Sequence, residues 1–212
     1  MLIVQDIHQV IGRRELDFES ACREMASALN SDQARFLWFA WAPHGAGEGY
    51  EAVTLISVPD AEALDHLQER IRDGDLSERW TSIEGMRYGL ESSTHVLESP
   101  SPTNTEGDRE PALFRLDHLA LSQPLRLARG KISTALAELT EEGTLEVAGW
   151  WTPLLGDLES PSVVVLNRIR SDAALLEAFA DPAKPWSGAL ESAFVVGRNS
   201  RLLRTARWSP WT

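Results

Sequence analysis

The chain has one cysteine, Cys22, which excludes an internal disulfide framework and any cysteine-rich metal site. No segment approaches the roughly 18 apolar residues of a membrane span, and no charged stretch precedes a long apolar run near the start. The expectation is a cytoplasmic protein with no membrane partner. Basic charge is scarce, with 20 Lys and Arg against 32 Asp and Glu and a formal net charge of −12. That balance argues against a nucleic-acid partner, which needs a basic face. The deficit is uneven: residues 1–99 carry 18 acids and 8 arginines, residues 100–212 carry 14 acids and 12 bases. The first half therefore presents the more acidic, solvated surface. Gly-x-Ser-x-Gly is absent, as is Gly-x-Gly-x-x-Gly between a strand and a helix, which disfavours nucleotide-dependent chemistry. No His-x-His or His-x3-His spacing occurs, so no metal site is expected; nothing in the sequence selects a cofactor.

What the chain has in excess is tryptophan: eight in 212 residues. Each indole brings a large apolar body and one N–H donor, suited to filling a core or lining a cavity. Several fall at matching positions in the two halves. At an offset of 110, Trp41-Ala-Pro43 meets Trp151-Thr-Pro153, and His8 meets His118. At an offset of 106, Trp80 meets Trp186, and Thr94 meets Ser200. A repeat of about 100 residues is too long for a solenoid and implies two tandem domains.

Periodicity assigns each half the same order. In the first half, residues 2–11 read as a strand. Leu16, Cys22, Met25, Ala26 and Leu29 follow at helical spacing. Strands cover 36–42 and 50–58, separated by a glycine-rich loop at 43–49 that holds His44. A helix runs through Ala63, Leu64, Leu67 and Ile71, a helical or irregular stretch spans 80–88, and a short strand covers 93–98. In the second half, strands are expected at 113–121, 144–152, 162–169 and 201–206, with helices at 125–139 and 172–179. The order β-α-β-β-α-β is the ferredoxin-like split unit. Residues 1–98 form the first repeat, the polar and proline-rich 99–111 the linker, and 112–212 the second repeat. Each sheet has helices on one face only. Two such sheets can close against each other into an α+β barrel within one chain, leaving any further homodimer to an outer surface.

The second half resembles the NIPSNAP-like branch of the dimeric α/β-barrel (ferredoxin-like) superfamily. The resemblance is carried by Gly149-Trp-Trp-Thr-Pro-Leu-Leu-Gly156, Ser162-Val-Val-Val-Leu166, Ala173-Ala-Leu-Leu-Glu177, Asp181-Pro182 with Trp186, and the run from Ser200 to Pro210. It fades in the first half, where 39–43 and 50–58 still fit. The superfamily includes cofactor-free monooxygenases, lactone isomerases, polyketide cyclases, haem enzymes and proteins without known activity. The resemblance thus implies a fold and no residue-level role.

Site candidates follow from the strands. His8 and His118 lie in the first strand of each repeat, where an inward histidine could move a proton near neutral pH. Asp6 shares the strand face of His8 and could orient it. Trp38, Trp41, Trp150 and Trp151 sit on the second strands, and the adjacent Trp150 and Trp151 must point to opposite faces. Together these residues describe an aromatic pocket for a hydrophobic small molecule. Three readings result. One is a cofactor-independent enzyme of monooxygenase, isomerase or cyclase type acting on an aromatic or polyketide-like substrate. The second is a non-catalytic ligand-binding or stress-associated barrel. The third is a haem-binding barrel, since one histidine suffices to ligate haem.

Overall fold

The computed structural model describes residues 1–29, 33–43, 50–99, 108–142, 145–154, 161–171, 173, 175 and 195–211. The expected glycine-rich loop with His44, most of the linker, Trp186 and most of the helix expected at 172–179 lie outside these residues.

Two compact units emerge. The first comprises Met1–Val96, Pro102–Pro111 and Arg204–Thr212; the second comprises Leu97–Ser101 and Ala112–Leu203. The C-terminal segment, expected in the second repeat, therefore groups with the first unit.

In the first unit, β1 (Leu2–Val10), β2 (Arg35–Trp41), β3 (Glu51–Val58) and β4 (Arg87–Leu97) form an antiparallel sheet in the order β4-β1-β3-β2. The end of β8 (Val195–Thr205) adds to the β2 edge, with Ala40 opposite Thr205 and Trp41 opposite Arg204. Helices α1 (Glu15–Leu29), α2 (Ala61–Arg72) and α3 (Ser77–Glu84) belong to the same unit. Alternation decides the faces. Leu2, Val4 and Val10 of β1 join Ala52, Ile56 and Val58 of β3 in the core, together with Phe18, Cys22, Met25 and Leu29 of α1. Phe18 completes the α1 stripe at helical spacing, whereas Leu16 is 83% exposed. Asp60 caps α2 by accepting from the Ala63 backbone N–H at 2.9 Å. β4 is longer than its own alternation suggested, because pairing with β1 from Leu2 to Val10 imposes strand geometry on polar residues.

The second unit repeats the sheet. β5 (Leu113–Leu121), β6 (Leu145–Pro153), β7 (Ser162–Ile169) and the first part of β8 run in the order β8-β5-β7-β6, and the end of β4 adds to the β6 edge. Helix α4 (Leu125–Glu142) contributes Ala128, Ile132, Ala135 and Leu136 to a core with Leu119, Leu121, Trp150, Val163 and Val165.

Strand registers correct the repeat offset. In the first unit the β2–β3 register slips between Phe36 and Trp38; in the second the β6–β7 register slips between Val147 and Gly149. Superposing the bulged residues, Leu37 and Ala148, gives an offset of 111, at which β1 falls on β5 and β3 on β7 end to end. A one-residue slip moves a side chain to the opposite face of a sheet. His118 therefore corresponds to Ile7, not His8, and the true counterpart of Asp6 is Asp117. The fourth strands, β4 and β8, are 11 residues each and match at an offset of 108, which pairs Ser92 with Ser200 rather than Thr94 with Ser200. The side chains agree. Asp6 is hydrogen-bonded to Ser92, and Ser200 Oγ donates to Asp117 Oδ1 at 2.5 Å.

The two copies differ in how the carboxylate is balanced. Asp117 is fully buried and receives Arg115 Nε at 2.8 Å and Asn167 Nδ2 at 3.0 Å. Removing one partner of a buried ion pair costs far more than the pair contributes. Asp117→Ala should therefore lose about 3–5 kcal/mol of stability in urea denaturation. A loss below about 1 kcal/mol would show that water reaches the pair.

Candidate functional site

An open cleft of about 600 Å³ lies in the first unit. Its walls come from the start of α1 (Glu15, Leu16, Glu19), the end of β2 with Ala42 and Pro43, Tyr50, Pro111, and residues 204–207. Gly12 keeps Tyr50 in place: a Cβ there would sit 2.8 Å from the Tyr50 ring. Arg13, next in the turn, takes a positive φ of 72°.

One carboxylate organises the cleft. Glu19 Oε2 accepts from Trp41 Nε1 at 2.7 Å, and Glu19 Oε1 accepts from Trp208 Nε1 at 3.1 Å. Both indoles rest on phenylalanines. The Trp41 ring centroid is 5.8 Å from Phe18 and 5.4 Å from Phe39, both edge-on, and Trp208 lies 5.1 Å from Phe39. The segment carrying Trp208 is itself fixed: Ala206 N–H donates to the Phe39 carbonyl at 3.3 Å, and Phe39 N–H donates to Ser209 Oγ at 3.1 Å. An aromatic shelf with edge-on neighbours and a charge-assisted hydrogen bond has little freedom to rotate.

Behind that shelf lies a buried polar cluster. Phe18 stands between the two, 5.1 Å from the His8 ring and 5.8 Å from Trp41. His8 Nδ1 is 2.9 Å from Arg87 Nη1, and His8 Nε2 is 3.1 Å from Thr54 Oγ1. A guanidinium can only donate, so Nδ1 is an acceptor and the ring is the neutral Nε2–H form. Burial, aided by the Arg87 charge, lowers the His8 pKa to about 3. Arg87 lies 4.8 Å over the Trp80 ring and 3.5 Å from Glu84. Asp6 lies two residues from His8 on the same strand face. Its Oδ1 is buried without a hydrogen-bond partner. Burial pushes its carboxyl above the ordinary value, opposed by Ser92 and Arg87.

The remaining sequence candidates are dispersed. Trp38 is fully buried opposite Leu55, on the face away from the helices. In the second unit Trp150 packs in the helix-side core, while Trp151 and His118 share a row with Val164 on the other face. Burial, with Arg201 adding to it, lowers His118 to about 4. Of the four tryptophans proposed for one pocket, Trp41 alone lines the cleft, and no described histidine does. His95 is buried with Nε2 2.8 Å from Ser93 Oγ, and burial pushes the Cys22 thiol up, leaving it unreactive. Among the described residues no three His, Cys, Asp or Glu side chains converge on a metal position, and no helix is long and apolar enough to cross a membrane. Reading the sequence missed Glu19, Tyr50 and Trp208. Trp208 sits in a tail without periodicity, and only its indole hinted at a partner.

No family model matches this chain, and no curated protein does. Solved structures match along nearly its whole length. A candidate monooxygenase from Fusobacterium nucleatum is 10% identical with a TM-score of 0.65, over 100% of this chain and 96% of its own. An anthrone oxidase-like protein is 13% identical with a TM-score of 0.59, over 97% and 91%. Chlorite dismutase from Candidatus Nitrospira defluvii is 10% identical with a TM-score of 0.53, over 97% and 91%. A NIPSNAP domain protein from Burkholderia xenovorans is 16% identical with a TM-score of 0.37, over 48% of this chain and 99% of its own. The chain has the α+β fold of the dimeric α/β-barrel proteins, as two ferredoxin-like repeats in one polypeptide.

The buried cluster makes stability depend on pH in two directions. Below the ordinary histidine value of about 6.5, the unfolded chain takes up a proton that folded His8 refuses until about pH 3. Stability is therefore lost as pH falls through that window, and His8→Gln should flatten the slope. Asp6 has the opposite sign: its raised folded pKa costs stability as pH rises above the ordinary carboxylate value. Asp6→Asn should raise the urea midpoint more near pH 7 than near pH 4. Unaltered pH slopes in both variants would place these groups in contact with solvent.

Proposed function

We propose that this chain binds a small, planar, largely apolar molecule in the first unit's cleft, with the ring lying on the Trp41 shelf. The observation that carries this reading is the double use of Glu19. A carboxylate that fixes two indoles beside an open cavity keeps an aromatic surface exposed and rigid, where ordinary packing would bury it. Preorganised aromatic walls with a few polar groups are the usual composition of a small-molecule site, and this volume lies within the usual range for one. Support also comes from the fold, which is shared with a candidate monooxygenase and an anthrone oxidase-like protein. Fold alone does not transfer their chemistry.

The enzymatic form of this reading is cofactor-independent oxygenation, isomerisation or cyclisation of an aromatic or polyketide-like substrate. The acid–base set first drawn from the sequence was His8, His118 and Asp6. In this proposal His8 supports the site: its nitrogens are engaged by Arg87 and Thr54, and Phe18 separates it from Trp41. Asp6 is the group of that set whose burial makes it hold its proton more tightly than an ordinary carboxyl, opposed by Ser92 and Arg87. His118 belongs to the other unit. Haem ligation by a single histidine finds no described histidine in the cleft.

The test is titration with a neutral ring probe, 2-naphthol, followed by tryptophan fluorescence. Trp41→Ala should weaken binding about tenfold, the equivalent of ~1.4 kcal/mol for a lost aromatic contact. Trp38→Phe should leave binding unchanged, because Trp38 lies on the opposite sheet face. Equal affinity in wild type and Trp41→Ala would overturn the proposal. Oxygen uptake or product formation with the bound probe separates the enzyme from the binding protein.

A further inference from the structure

We propose that Arg204 is the specificity-determining residue of the cleft, where it holds the carboxylate of an aromatic acid whose ring lies on Trp41. This rests on the ring-binding reading above and adds the class of ligand.

Trp41 and Arg204 are directly opposed in the antiparallel pairing of β2 with β8. Opposed residues project to the same face, with Cβ atoms about 4.5–5.5 Å apart. The indole and the guanidinium are therefore neighbours, and both line the cleft. Arg204 is exposed, and its side chain has no hydrogen bond or ion pair among the described residues. The other charges of the cleft are placed differently. Glu19 uses one oxygen for each indole N–H. Arg207 lies 4.0 Å from Glu110. Glu15 sits in the first turn of α1, where the positive end of the helix offsets its charge. Arg204 is thus the cleft cation that has neither a hydrogen bond nor an ion pair among the described residues and lies directly opposite Trp41.

A guanidinium offers two parallel N–H donors that match the two oxygens of a carboxylate. With the ring against Trp41, a carboxylate on that ring reaches the guanidinium beside it without crossing the cavity. A neutral ring loses only this contact. A cationic ring meets Arg204 unfavourably and must turn toward Glu15. The cleft should therefore rank ligands as acid, then phenol, then ammonium.

Calorimetric titration of the full chain with 2-naphthoate, 2-naphthol and 2-naphthylmethylammonium tests the ranking, in wild type and in Arg204→Gln and Arg204→Lys. The expected result is naphthoate binding at least about tenfold tighter than naphthol. That preference should weaken with added salt and vanish in Arg204→Gln. Arg204→Lys should keep part of it, having the charge but not the fork. Naphthol binding should change far less than naphthoate binding across the three proteins. Equal affinity for acid and phenol, tightest binding of the ammonium, or a preference that survives Arg204→Gln would each overturn the subsite while leaving the ring site standing. If none of the probes binds wild type, the ring site fails and the subsite with it.

Discussion

Two indole N–H groups converge on the carboxylate of Glu19, and the architecture of the first unit's cleft depends on that convergence. It joins α1 to β2 through Trp41 and to the C-terminal segment through Trp208. Hydrogen bonds to a charged acceptor contribute about 1.5–3 kcal/mol each, enough to hold large side chains at a solvent boundary. Trp41 packs edge-on against Phe18 and Phe39 on one side, while its N–H is held by Glu19. The carboxylate thus ties the rim of the cleft to the aromatic core beneath it.

The polar cluster under α1 follows the opposite logic. There the groups are taken out of water, and each must be matched or neutralised. His8 is neutral and passes one hydrogen bond from Arg87 and one to Thr54, while Asp6 relieves its desolvation by retaining a proton more tightly. Arg87 connects the two and reaches the surface beside Trp80 and Glu84. The second unit answers the same problem at Asp117 with a full ion pair and two further donors.

The sheet framework was legible because short apolar runs rich in β-branched and aromatic residues mark β1, β2, β3, β5 and β7, so their expected limits fall within a residue or two of the strands. Faces were less legible. The pairing of His8 with His118 rested on matching Trp41 and Pro43 with Trp151 and Pro153, whereas the bulges at Leu37 and Ala148 and the ends of β1 and β5 align one residue further on, a register that only cross-strand pairing reveals. β4 was underestimated because its polar middle is held as a strand by its partner β1. The cleft could not be read at all. It requires Glu19, Trp41, Tyr50 and Arg204 from separate elements, and their meeting depends on a tail whose placement is set by hydrogen bonds to the Phe39 backbone.

Those backbone bonds occur twice. Glu98 N–H donates to the Trp150 carbonyl and Trp150 N–H to Ser99 Oγ, as Ala206 and Ser209 do at Phe39. The scaffold around each second strand is therefore duplicated, yet the position of Trp41 is taken in the second copy by Thr152, which hydrogen-bonds Glu98 at 3.1 Å. The two copies therefore differ at the residue that lines the cleft in the first unit. Under the proposed reading, the stoichiometry is one equivalent of ligand per polypeptide, where an undivided pair of identical halves would hold two.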